Sequence, residues 1–319
     1  MIRHKIIYDT DPGIDDAIAL VFQTKQPEIE LVGITSVFGN ADIDTTTTNA
    51  LYLASRFAPG VPVARGASAP LKCPPPEPIP QIHGSDALGD IERIGGVDKQ
   101  EDGRAAHRFI IETVRAHPGE ITLLAVGPLT NLALALQDDP QIATLVREVV
   151  VMGGAFGING VLGNTTPAAE ANMHGDPHAA DIVFGAPWKV SIVGLDVTHE
   201  TVMSTALLAS LRDSAGDAGR FVWEVSRFYE RFHAEDGMPK GIYAHDYSAA
   251  AFVVARERYT TRSGPVRVLT DGIAAGLTIQ KPASMHASAP DWDTRPDCDA
   301  CIGVDADAVL DLFARTLRN

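Results

Sequence analysis

Cysteine is nearly absent: three in 319 residues are too few and too unevenly spaced for a disulfide framework. Cys298 and Cys301 form a Cys-x-x-Cys in "DCDAC", but a structural zinc site wants four ligands and the only other cysteine is Cys73. The pair reads as two incidental reduced thiols. Positive charge is also scarce. Twenty-six Lys and Arg against forty-one Asp and Glu give a net charge of −15, with no basic run and no basic stripe interleaved with aromatics. Nucleic acid is therefore excluded as an expected partner. No apolar stretch reaches the ~18–20 residues of a membrane span. Strand-like sequence begins within the first few residues and leaves no room for a signal peptide, so a cytoplasmic location is expected.

What is present is core-forming sequence: 45 % of residues are hydrophobic. Strand-like and helix-like segments alternate through the first two hundred residues. "EIELVGITSVFG", "GEITLLAVG", "REVVVMGG" and "WKVSIVGLD" read as strands, with "TTTTNALYLASRFA", "LTNLALALQ" and "PHAADIVFGA" as helices between them. That alternation predicts an α/β fold, an open, mostly parallel twisted sheet with helices on both faces. Beyond Thr198 the pattern turns helical to about residue 256, then gives short strands and a closing helix, "DADAVLDLFARTL". Residues 66–103 and 153–172 read as long loops of the kind that form lids or binding loops. With no internal repeat and no clean linker, residues 1–319 are expected to form a single domain.

The chemistry concentrates in "KIIYDTDPGIDDAIAL", residues 5–20, where Asp9, Asp11, Asp15 and Asp16 fall between a buried strand and a helix. Asp11 before Pro12 is expected to cap that helix, which accounts for one or two of the four. Two like charges ~4 Å apart repel by about 4 kcal/mol at an effective dielectric near 20, whereas the helix dipole returns only ~0.3–1 kcal/mol per acid. A cation resolves the conflict. Oxygen-only ligands favour Ca²⁺ or Mg²⁺ over zinc, and spacing alone does not choose between them.

"DTDPGIDDA" at 9–17 resembles the signature of the inosine–uridine-preferring nucleoside N-ribohydrolases, a family that cleaves the N-glycosidic bond of ribonucleosides. "AVGPLTNLA" at 125–133, "VVMGGAF" at 150–156, "GNTTPAAEAN" at 163–172 and "HD" at 245–246 are similar to its later blocks, in order. The resemblance implies one calcium ion held by Asp11, Asp16, the backbone carbonyl of Val126 and Asp246. It implies that Asp15 binds a ribose hydroxyl, that Asp11 also deprotonates the attacking water, and that Asp9 supports the centre from behind. Asn40, Asn164, Glu170 and Asn172 would line the sugar pocket, Glu170 and Asn172 facing it together from an extended segment. His245 would protonate the departing base, and His83 in "IHGSDALG" is similar to a family block near the active-site mouth; Tyr229 and His233, at helical i, i+4 spacing in "FYERFH", either line the base pocket or pack that helix. The resemblance further implies a homodimer or homotetramer. Carboxylates around the ribose suit the oxocarbenium-like charge of such a reaction.

Ala87 stands where that family usually has glycine, Ala171 where it has an aromatic, and the 153–163 loop is a few residues longer than the family's; all three fall near the nucleobase side. Two other readings compete. An aspartate-nucleophile phosphatase also begins D-x-D after a first strand, but expects threonine or valine at the position of Gly13. A non-catalytic nucleoside- or pentose-binding protein would be expected to have lost Asp11, which is present.

Overall fold

The computed structural model describes residues 3–97, 99–235, 237 and 240–319. Its β-branched runs are buried strands: β1 (His4–Thr10), β2 (Ile29–Ser36), β3 (Val63–Ala64), β4 (Ile121–Ala125), β5 (Glu148–Met152) and β6 (Val190–Val193). They lie parallel in the order β3-β2-β1-β4-β5-β6. From β1 the chain builds outward to β2 and β3, then returns to place β4 on the other side. The strand order thus reverses between β1 and β4, and a crevice opens at their carboxyl ends. The four aspartates are at that place.

A small antiparallel ribbon, β7 (Val202–Met203) with β8 (Ile242–Tyr243), stands apart from the sheet. The main sheet is then extended by β9 (Tyr259–Val268), β10 (Thr278–Gln280) and β11 (Asp297–Val304): β11 runs parallel to β6, β9 antiparallel to β11, and β10 antiparallel to β9. Helices cover both faces. Alternation along β1 sends Ile6 and Tyr8 to one core and Ile7 to the other, and Val150 and Val149 divide likewise on β5. On the first face Phe22 and Phe313 both pack edge-on against Tyr247, with ring centroids 4.8 and 4.7 Å away. Each such fully buried side chain contributes about 1.5–3 kcal/mol.

The expected alternation and the closing helix, Ala306–Arg318, are present. Two local expectations are corrected. The first helix, Ile14–Lys25, is capped at Gly13 and not by Asp11, whose carboxylate is engaged elsewhere; the Asp16 carboxylate reaches back to the Gly13 N–H instead. The segment after Thr198 is not purely helical. Helices Thr205–Ser214, Gly216–Glu235 and His245–Val254 are interrupted by β7 and β8, two-residue strands too short to show a period. The Cys-x-x-Cys places its two thiols on opposite sides of β11, Cys298 in one core and Cys301 in the other, as an odd spacing on a strand requires. Among the described residues no helix is long and apolar enough to cross a membrane.

Candidate active site

The turn after β1 holds its carboxylates by hydrogen bonds that begin in the backbone. Asp11 and Asp16 are almost fully buried, and Asn40, arriving from the end of β2, ties them together: its N–H donates to Asp11 Oδ2 at 2.8 Å and its Nδ2 to Asp16 Oδ2 at 3.0 Å. Thr10 donates to the other oxygen of Asp16. Behind them Asp9 Oδ1 accepts from Thr35 Oγ1 and Asn131 Nδ2. Gly39 and Gly127 close around Asp11. A Cβ added to either would fall 2.0 Å from its Oδ2 or 2.5 Å from its Oδ1.

Asp246, on the first turn of helix His245–Val254, completes the centre. One carboxylate oxygen from each of Asp15, Asp16 and Asp246 lies within 4.8 Å of the others. Repulsion at that separation is about 3.5 kcal/mol per pair at an effective dielectric near 20. Burial pushes the Asp246 carboxyl well above the carboxylate range, with Asp15, Asp16, Asp11 and Glu170 adding to it. Burial followed by Asp16 raises Asp15 to about 8, and burial alone outweighs its two hydrogen bonds to raise Asp9 to about 7. Asp11 Oδ1 and Asp15 Oδ1 are buried without a protein hydrogen-bond partner. Orphaned oxygens in an acidic cluster are the donor set of a hard divalent cation, and these residues fit one.

A cleft of about 210 Å³ opens above the cluster. It brings together Asp15, Asn40, His83, Val126, Asn164, Glu170, Asn172, Tyr229, His233, His245 and Asp246, while Asp11 and Asp16 lie beneath it. No Lys or Arg lines it among the described residues. Glu170 and Asn172 are not on an extended segment as expected. Glu170 caps the short helix Ala171–Gly175, its carboxylate accepting from the N–H groups of Asn172, Met173 and Gly154. Asn172 Nδ2 is occupied by the carbonyls of Val126 at 2.7 Å and Met152 at 3.2 Å. Asn164 sits at the exposed rim and accepts from the Ala171 N–H.

The far wall is a belt of rings. His83 stacks on Tyr229 with centroids 5.4 Å apart, and Tyr229 meets His233 edge-on at 4.2 Å. His83 also accepts the Ile14 N–H at 3.2 Å, and burial, then His233, pushes its imidazole down to about 3. His245 is buried with Nδ1 2.8 Å from Thr198 Oγ1. Burial, followed by His199, His233 and His83, holds it well below its ordinary range. Phe232, His199 and Tyr243 complete the belt and were not anticipated from the sequence. For His199 a signal existed, since it follows β6 at the functional edge of the sheet; for Tyr243, on a two-residue strand, there was none.

Residues 6–311 match the family described as inosine-uridine preferring nucleoside hydrolase. Uridine nucleosidase 1 of Arabidopsis thaliana is 40 % identical over 278 residues, 87 % of this chain and 82 % of that protein. Among solved structures, a plant nucleoside hydrolase superposes with a TM-score of 0.94 at 37 % identity, covering 99 % of both chains. A purine-preferring ribonucleoside hydrolase from Gardnerella vaginalis gives 0.90 at 30 % identity over 98 % of both chains.

Proposed function

Because this chain belongs to the inosine-uridine preferring nucleoside hydrolase family, it is a ribonucleoside hydrolase, and we propose that it works as a calcium-dependent enzyme with the residue roles that follow. The single observation carrying this reading is the convergence of buried carboxylates with orphaned oxygens beneath a cleft whose described lining offers no cation. Asp11, Asp16, Asp246 and the Val126 carbonyl would hold the ion, with Asp15 beside them for a ribose hydroxyl. The chemistry that a calcium ion would supply there is orientation of the sugar diol and acidification of the attacking water.

The remaining steps belong to the chain's own side chains. Asp11 takes the proton of the attacking water. Asn40, Asn164, Glu170 and Asn172 surround the sugar, where carboxylate and amide oxygens favour the positive charge that grows as the glycosidic bond opens. His245 hydrogen-bonds and protonates the departing base. Negative charge developing on that base favours the protonated imidazole and opposes the effect of burial. The absence of Lys and Arg from the described lining argues for a neutral nucleoside, because a phosphate dianion would meet Asp15, Glu170 and Asp246 without a partner.

The whole chain acting as one catalytic unit, a homodimeric or homotetrameric assembly and a cytoplasmic location are parts of the same proposal. The test is ribose release from uridine, cytidine, inosine, adenosine and guanosine, before and after stripping with a strong calcium chelator. Release that is lost on chelation and restored by Ca²⁺ alone is expected, with the ranking of bases reporting specificity. Tight nucleoside binding with no release would replace this reading by that of a binding protein, and full release after chelation would remove the metal from it.

A further inference from the structure

The β7–β8 ribbon lends Met203 and Ile242 to the core, and it also makes one connection that matters to the cleft. Val202 pairs with Tyr243 and Met203 with Ile242, and the Ala244 N–H donates to Thr201 O at 3.0 Å. These bonds fasten residues 201–203, which follow β6, to residues 242–244, which lead into the helix bearing His245 and Asp246. Two rings are brought face to face by that fastening. His199 and Tyr243 stack with centroids 4.3 Å apart and planes only 19° from parallel.

Tyr243 is surrounded by imidazoles. Besides His199, it meets His233 edge-on at 5.1 Å and 78°, and lies 5.5 Å from His245 at 47°. His199 itself lies 5.6 Å from His245 at 57°. Among the described residues the His245 ring is hydrogen-bonded at Nδ1, to Thr198 Oγ1. One bond at Nδ1 leaves an imidazole free to swing about that contact, and packing against flanking rings is what fixes the swing. Both flanking rings line the cleft.

We propose that Tyr243, clamped on His199 by the β7–β8 ribbon, is a positioning residue that holds the His245 ring in line with the departing nucleobase. The inference rests on the role given above to His245. Its consequence is selective: the clamp matters for nucleosides whose base needs a hydrogen bond or proton to leave, and hardly at all for a riboside whose leaving group is already a stable anion. Misplacing a reacting group by about 1 Å costs on the order of 10²-fold in rate, and loss of a general acid on the order of 10²–10⁴-fold.

The experiment compares kcat/KM on uridine and on 4-nitrophenyl riboside for the parent and for His245→Ala, Tyr243→Leu, Tyr243→Phe and His199→Ala, all in saturating Ca²⁺. Tyr243→Leu is expected to lose roughly 10- to 100-fold on uridine and no more than about threefold on the nitrophenyl substrate. Tyr243→Phe, which keeps the ring, should rescue most of the uridine rate. His199→Ala, should Tyr243→Leu not fold, is expected to show the same split. Equal losses on both substrates, or no loss on uridine, in the ring-removing variants overturns the proposal provided His245→Ala shows the split. If His245→Ala itself loses equally on both substrates, the role of His245 fails first, and the positioning role fails with it.

Discussion

The side-chain amide of Asn172 donates to the backbone carbonyl of Val126 at 2.7 Å, so a residue expected to face the sugar also braces the carbonyl expected to face the metal. The same amide reaches Met152 O and thereby joins the carboxyl ends of β4 and β5. Replacing Asn172 with leucine strands two buried carbonyls. Unfolding in denaturant should show a loss of about 1–3 kcal/mol. A loss of activity with unchanged stability would mean that these bonds do not brace the sheet ends, and that the amide serves the substrate alone.

Asp11 is gripped from three sides, by the Asn40 N–H and by the close backbones of Gly39 and Gly127, without supporting a helix cap. Asp11→Ala is therefore expected to abolish ribose release, at least about 10²-fold, while circular dichroism and the thermal transition of the metal-free protein stay close to the parent. Removing a buried carboxyl that is raised well above its usual range by burial and by Asp16 can even stabilise that form. Near-normal turnover in this variant would end the proposed role of Asp11 as base.

Thiol chemistry separates the three cysteines. Cys73 is half-buried in the 66–103 loop, whereas Cys298 and Cys301 are fully enclosed and burial pushes both thiols up to about 12. One thiol should react with an aromatic disulfide reagent in the native protein at pH 8, and three after denaturation. Rapid reaction of all three in the native state would contradict the placement of β11 inside the sheet.

His83 gives a pH dependence with a definite sign. Its folded-state pKa of about 3 lies below the ~6.5 of an unfolded histidine, so the unfolded chain takes up a proton first as pH falls. The stability that neutral His83 supports is complete above about pH 6.5 and declines below it. Relative to His83→Phe, which keeps a ring beside Tyr229 but cannot titrate, the parent should lose about 2 kcal/mol between pH 7 and pH 5. Urea titrations of the two proteins at both pH values measure that difference, and a constant gap would show that His83 is hydrated or charged in the folded state.

The sequence by itself determined the layered α/β order, because β-branched runs and amphipathic segments of the right length alternate from β1 to β6 and local hydrophobic pattern suffices to specify them. It also determined the acidic centre, since four aspartates within eight positions after a strand violate simple electrostatics unless something binds there. Tertiary structure decided what depends on partners distant in the chain. The helix cap passed to Gly13 because Asn40 claims Asp11 from the end of β2, and Glu170 became a cap because Gly154 supplies a donor from across the loop. His199 and Tyr243 became neighbours through two pairs of ribbon residues too short to leave a periodic trace. Pattern encodes which face of an element is apolar; only packing decides which polar groups from different elements must satisfy one another, and most of the cleft is built from that second kind of choice.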